Sequence, residues 1–235
     1  FFVPFPLGPL GTMGAVILMP DRIARRSALL DIGAAGPLAG LIVALPVLAY
    51  GIAESPIEPI LADRAYLQEG HSLLYKAMLY ALKGPIPEGH DIMLTSTAFA
   101  GWAGLFVTML NLIPAVQLDG GHIAHALLGE RHERISRGLR RLLLPLAAGT
   151  ALFYAWPYAV RGAWNDALTQ ASGPGMQWLV WWMLLGFMAR AGRGREHPAT
   201  DDHTLSPARR AVAWLCLVLF VLLFMPSWLR IVPPS

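Results

Sequence analysis

Five stretches of this chain run to membrane-spanning length without a charged side chain: Ile32–Ala53, Ile92–Leu118, Leu142–Val160, Ala167–Ala189 and Ala211–Leu229. About 20 predominantly apolar residues suffice to cross a bilayer as a helix. The pattern therefore predicts an α-helical multi-pass membrane protein with about five transmembrane helices. Pro46, Pro145 and Pro226 fall inside these runs, where neighbouring helices can satisfy the freed carbonyls, so kinks are expected. Between the first two runs, Ser72–Leu82 places Leu73, Leu74, Ala77, Met78 and Ala81 on one stripe, which predicts a short amphipathic surface helix. Phe1–Pro20 is also uncharged, but Pro4, Pro6 and Pro9 with Gly8, Gly11 and Gly14 would break any helix. A short membrane-associated β-hairpin fits better: an extended Phe1–Leu7, a turn around Gly8-Pro9 and a strand over Thr12–Met19. Such backbone survives at membrane depth only under a cover of protein or along a wet cavity. Its edge could receive an extended peptide by strand addition. A packed re-entrant hairpin with no binding role reads equally well.

Composition agrees with the pattern: 55% of the 235 residues are apolar and 14% are charged, against about 25% charged in soluble domains. The net charge of +3 is spread over separate loops without interleaved aromatics, which argues against a nucleic-acid surface. It reads instead as topology. Pro20–Asp31, Ala115–Arg141 and Arg190–Arg210 are rich in arginine, whereas Glu54–Asp91 and Arg161–Asp166 are not. That alternation puts the basic segments in the cytoplasm and the C-terminus outside. Trp156, Tyr158, Trp164 and Trp228 sit near the ends of apolar runs and read as interfacial anchors. The single Cys216 permits no internal disulfide and reads as a small apolar residue. No internal repeat is visible, which weighs against the duplicated halves of many transporters.

The candidate chemistry lies in Asn111-Leu112-Ile113-Pro114-Ala115-Val116-Gln117-Leu118-Asp119-Gly120-Gly121. Asp119 ends an uncharged apolar run, and an ionisable group at that depth is costly unless paired, solvated or bound to a cation. Pro114 cannot donate a backbone hydrogen bond and Gly120-Gly121 permits a tight backbone, so the helix should break here and aim the carboxylate inward. Asp119 alternatively reads as a helix N-cap, or as a cation or proton site in a transport protein. For Asn111 an interhelical hydrogen bond is the plainer role. Asp119, His122 and His125 are spaced by three, yet on a helix positions 119 and 125 are about 240° apart in one rotational sense, so a compact metal site is not expected. His122 and His125 read as polar residues at a cytoplasmic helix start, able to orient a metal ligand. His71, His90, His132, His197 and His203 fall in charged segments and read as solvated.

These pieces together resemble the site-2 protease family of intramembrane zinc metalloproteases, peptidase family M50. The run Asn111…Pro114…Leu118-Asp119-Gly120-Gly121 is similar to that family's second metal-ligand motif. Asp31-Ile32-Gly33-Ala34-Ala35-Gly36-Pro37-Leu38-Ala39-Gly40 resembles its Gly-rich helix start, and Phe5-Pro6 through Gly11-Thr12-Met13-Gly14-Ala15-Val16-Ile17 resembles its membrane-associated hairpin. The resemblance implies a zinc-dependent intramembrane endopeptidase acting on a membrane protein substrate within the lipid bilayer. It implies Zn²⁺ held by Asp119, Asn111 assisting catalysis at the developing oxyanion, and substrate held along Gly11, Thr12, Met13 and Gly14. In the family two histidines and a glutamate come from an HExxH helix upstream of the hairpin, and HExxH occurs nowhere in these residues. With no methionine at position 1, the expectation is a partial sequence, inactive alone, whose parent carries HExxH; a non-catalytic relative that binds without cutting is the alternative. On this reading residues 1–141 are a partial protease core, and 142–235 hold three further transmembrane helices with a basic linker near 190–210. The expected location is a bacterial inner (cytoplasmic) membrane, with the active site near the cytoplasmic face.

Overall fold

The computed structural model describes residues 2–4, 12–15, 25–60, 63–191 and 204–234, the first two segments and Ala191 by backbone alone. Strands β1 (Phe2–Pro4) and β2 (Thr12–Ala15) pair antiparallel, Phe2 opposite Ala15 and Pro4 opposite Thr12, as a hairpin requires. The turn expected at Gly8-Pro9 and the continuation to Met19 lie outside the described residues. Helix α1 (Arg26–Glu54) carries the Gly-rich run and continues through Pro37 and Pro46. It is followed by β3 (Ile57–Pro59), β4 (Tyr66–Glu69), α2 (Leu73–Lys83) and β5 (His90–Ile92). Helix α2 is the expected amphipathic helix, with the Ser72 hydroxyl accepting from Tyr75 N at 3.1 Å as N-cap. After it come α3 (Ser96–Asn111), α4 (Asp119–Leu128), α5 (Arg131–Ala159), α6 (Trp164–Ala191), α7 (Pro207–Leu223) and β6 (Leu229–Val232).

The chain is thus mostly helical, with seven helices among the described residues. Of the five expected spans, two are long and apolar enough to cross a membrane, α1 and α5. The others fall short for different physical reasons. Helix α3 has 16 residues and α7 has 17, so each is roughly 24–26 Å long at 1.5 Å per residue, below the ~30 Å hydrocarbon core. Helix α6 is 28 residues long, but Asn165, Asp166, Thr169, Gln170, Ser172 and Gln177 dilute its first half.

Helices α1 and α3 pack antiparallel with their glycines at the crossing. A methyl on Gly101 would lie 2.5 Å from Leu48 Cα, one on Gly104 2.7 Å from Ala44 Cβ, and one on Gly51 would overlap the Ala98 backbone. Small residues here let two backbones meet without intervening side chains. On the side remote from α4, two short sheets form a cap: β3 pairs with β5, and β4 with β6, Tyr66 opposite Val232 and Glu69 opposite Leu229. Arg230 ties this cap to α5, its guanidinium 4.7 Å over the Tyr154 ring, and also bonds the Gln68 side chain. The last apolar run is not one helix, because α7 stops before Pro226 and the chain turns into β6. Trp228 is accordingly no interfacial anchor. It is 7% exposed and packs against Phe106, Trp178 and Trp181. Trp156 and Trp164 do face outward.

Candidate metal-ligand site

Helix α3 ends at Asn111, which is half-buried, and the chain breaks around Pro114 before resuming as α4 at Asp119. The break falls where Pro114, lacking an N–H, cannot continue the ladder. Val116 follows with φ of 48°, a left-handed conformation uncommon for a β-branched residue and costing about 1–3 kcal/mol. Two groups from α5 hold this loop. Val116 N donates to the Ser136 hydroxyl at 3.1 Å, and His132 Nε2 donates to the Pro114 carbonyl at 3.3 Å. Both side chains are fully buried, His132 and Ser136 alike at 0% exposure. His132 is therefore not the solvated residue the sequence implied. The pair was hidden because residues 115–141 read as a basic loop, whereas α5 begins at Arg131 and sets His132 and Ser136 one turn apart on one face.

Gly120 and Gly121 are required by close approach. A methyl on Gly120 would overlap the Leu112 carbonyl, and one on Gly121 the Val116 carbonyl. Leu118 is the N-cap residue, with Asp119 at the first helical position, so the carboxylate does not cap its own helix. It turns toward α1: a methyl on Gly36 would sit 3.5 Å from Asp119 Oδ2, and one on Gly33 3.0 Å from the Asp119 carbonyl oxygen and 3.2 Å from His122 Cβ. The Gly-rich helix and the Asp-bearing turn thus meet.

Helix α4 is not a spanning helix, and its ionisable groups are shifted by burial. Burial lifts the Asp119 carboxyl to about 6. Burial, with His132 nearby, pushes His122 down to about 4, and the same causes together with Arg26 do so for His125. The His125 and His132 rings meet edge to face with centroids 5.9 Å apart. Both α4 histidines are held neutral and buried, more deeply placed than polar residues at an exposed helix start. Among the described residues no three His, Cys, Asp or Glu side chains gather as a metal-binding group. Of the hairpin residues, Gly11 lies outside the described residues, and Thr12, Met13 and Gly14 form most of β2.

Removing the Ser136 hydroxyl should loosen this loop. Ser136→Ala leaves the buried Val116 N–H without its acceptor, so a loss of about 1–3 kcal/mol is expected in detergent-solubilised thermal unfolding. An unchanged midpoint would remove α5 as the support of the Asp119 turn.

Residues 1–153, which include the break, the paired glycines and the inward carboxylate, match the model of peptidase family M50. The chain belongs to that family. It is 34% identical over 151 residues to the probable zinc metalloprotease EGY2, chloroplastic, of Arabidopsis thaliana, covering 62% of this chain and 27% of that protein. The protein of the same name from Oryza sativa subsp. indica is 31% identical over 160 residues, covering 64% and 28%. The probable zinc metalloprotease EGY1, chloroplastic, of Arabidopsis thaliana is 26% identical over 228 residues, covering 93% and 36%. The chain therefore spans about a quarter to a third of the length of these relatives. No solved structure matches it.

Proposed function

We propose that this chain is the Asp-bearing part of a zinc-dependent intramembrane endopeptidase of the site-2 protease type, which hydrolyses a peptide bond of a membrane protein substrate. The observation that carries the reading is the placement of Asp119. A half-buried carboxylate, raised by burial, faces Gly36 of α1 at the end of an apolar run. A divalent cation would offset the cost of burying that charge. Asp119 supplies one oxygen ligand, which fits one third of a catalytic zinc's protein set of three. The other two ligands and the general base would come from an HExxH helix preceding the hairpin in the full-length protein. Zinc, when held there, would supply an activated water and a polarised carbonyl. This chain's own residues then do the positioning. His132 and Ser136 hold the turn so that Asp119 points at α1. Asn111 is a donor for the developing oxyanion. The edge formed by Thr12–Gly14 of the hairpin, with Gly11 before it, receives the unwound substrate as an added strand.

The membrane setting is supported by α1 and α5 and by the apolar residues that α6 and α7 also turn outward, Phe187 at 70% and Val221 at 59% exposure among them. In this reading α1, α3, α5, α6 and α7 lie in the bilayer of a bacterial cytoplasmic membrane. The basic N-terminal end of α5 faces the cytoplasm with Asp119 near it. The coding sequence upstream of Phe1 tests the proposal, together with metal analysis of the full-length protein. An apolar helix bearing HExxH and about one zinc per chain are expected. An in-frame start without that motif, and no zinc, would overturn it in favour of a non-catalytic binding protein.

A further inference from the structure

Away from the Asp119 turn, a cavity of about 610 Å³ opens between the N-terminal part of α5 and the C-terminal part of α6. That volume lies within the ~300–1,000 Å³ of small-molecule sites. Its rim is made by Arg137, Arg140, Arg141 and Arg190, against which stands one carboxylate among the described residues, Glu133. Arg137, Arg140 and Arg141 share one face of α5 by their spacing of three and four. Arg140 Nε is out of solvent with no hydrogen-bond partner among the described residues, an unsatisfied donor of the kind that marks a missing acceptor. The wall on α6 is of the opposite character: Trp182, Met183 and Phe187 line the cavity, with Phe187 and Met183 largely exposed. On α5 the sequence turns from Arg140-Arg141 directly to Leu142-Leu143-Leu144. The cavity therefore straddles the level at which guanidinium groups give way to an exposed apolar surface.

We infer that this cavity is a binding site for an anionic glycerophospholipid of the inner leaflet. Its phosphate lies among Arg137, Arg140, Arg141 and Arg190, and its acyl chains lie along Trp182, Met183 and Phe187. A phosphate suits the rim because guanidinium groups offer it several charge-assisted hydrogen bonds at once. A free phosphate would leave the apolar wall unused, and a zwitterionic lipid would bring a second cation into a rim already carrying four. Basic pockets between helices on the cytoplasmic side are suited to such headgroups. The inference rests on the reading that α5 and α6 lie in a bilayer, and it adds a lipid ligand at a site distinct from the Asp119 turn.

The test uses the 235-residue chain purified in a neutral detergent, with binding measured by native mass spectrometry and by thermal unfolding. The probes are dioleoyl phosphatidylglycerol, dioleoyl phosphatidylcholine, and glycerol phosphate without acyl chains. Phosphatidylglycerol is expected to bind saturably and to raise the unfolding midpoint. Phosphatidylcholine and glycerol phosphate should do so at least about tenfold more weakly. The variant Arg137→Gln/Arg140→Gln/Arg141→Gln should lose at least about tenfold in affinity for phosphatidylglycerol. Arg64→Gln, in the loop before β4, should not. Equal binding of both lipids, or glycerol phosphate binding as well as the lipid, would overturn the assignment. So would no binding at all. Flotation of the chain with phosphatidylcholine vesicles after an alkaline wash separates the two readings. A chain that floats but shows no phosphatidylglycerol preference fails only the lipid site, whereas one that does not float fails the membrane reading.

Discussion

Asp119→Asn in the full-length protein is expected to lower substrate cleavage by at least about 100-fold, since groups that merely orient metal ligands already account for 10–100-fold. The substitution keeps the side chain's size and removes its charge, so Gly36 of α1 still faces a side chain of the same shape. Zinc content should fall from about one per chain toward zero. That readout separates a lost ligand from a lost fold. Without metal the same change should stabilise. The folded-state carboxyl is raised to about 6 from an ordinary 3.8, so the protonated form is favoured in the folded chain. Its contribution is fully present below the unfolded value and is lost as pH rises through about 6. His122 and His125, both lowered to about 4, gain stability over the same range, so the readout is the difference between the two chains. In a chelating buffer the stability of Asp119→Asn relative to the parent chain should rise by on the order of 1–2 kcal/mol between pH 4 and pH 7, after allowance for partial exposure. Cleavage that survives with zinc still bound would remove Asp119 from the ligand set. A difference between the two chains that stays constant from pH 4 to pH 7 would mean that the carboxylate is compensated by some other group.

Gly101→Val is expected to destabilise the chain by more than about 3 kcal/mol, and to do so by separating α1 from α3. At 2.5 Å from Leu48 Cα the first added carbon meets backbone, which cannot rotate away as a side-chain tip can, so the helices themselves must move apart. Gly138→Ala is the matching control, because nothing lies within 4 Å of that position on α5. Replacing glycine in a helix there should stabilise by about 0.5–1 kcal/mol. Thermal unfolding of both variants in the same detergent checks the pair. Equal and small effects would mean that the glycines at the α1–α3 crossing do not set its distance. Because α4 docks on the same helix, Gly101→Val should also disturb the Asp119 turn in the full-length protein.

What could be read from residues alone follows from which signals are local. The break at Pro114, the glycine pair after Asp119, the amphipathic stripe of α2 and the pairing of the N-terminal strands each rest on residues close together in sequence, and each is found. Helix ends were misread where charge was taken for a boundary. Helix α5 begins at Arg131, well before the apolar run at Leu142, because arginine is a good helix former and its charged head lies on the outer face. Long-range partners left no local mark. The β4–β6 pair joins residues 66–69 to 229–232, and Trp228 is buried by aromatic rings from α3 and α6. For the site, the sequence pointed to Asp119 through its unusual neighbours. His132 and Ser136 went unseen, because a histidine among arginines looks like any surface residue until the helix beneath it is known.

The β4–β6 pairing also sets an order on how the molecule is made. Residues 66–69 leave the ribosome about 160 residues ahead of residues 229–232, an interval of roughly 10–30 s at ordinary elongation rates. Through that time α2 and the β3–β5 pair can form, and Trp102 of α3 can bond the Gly70 carbonyl, but β4 has no strand beside it. Helix α7 must be in place before β6 can reach it. Closure of the cap thus waits on β6, and a nascent chain arrested before residue 229 would present the unpaired edge of β4.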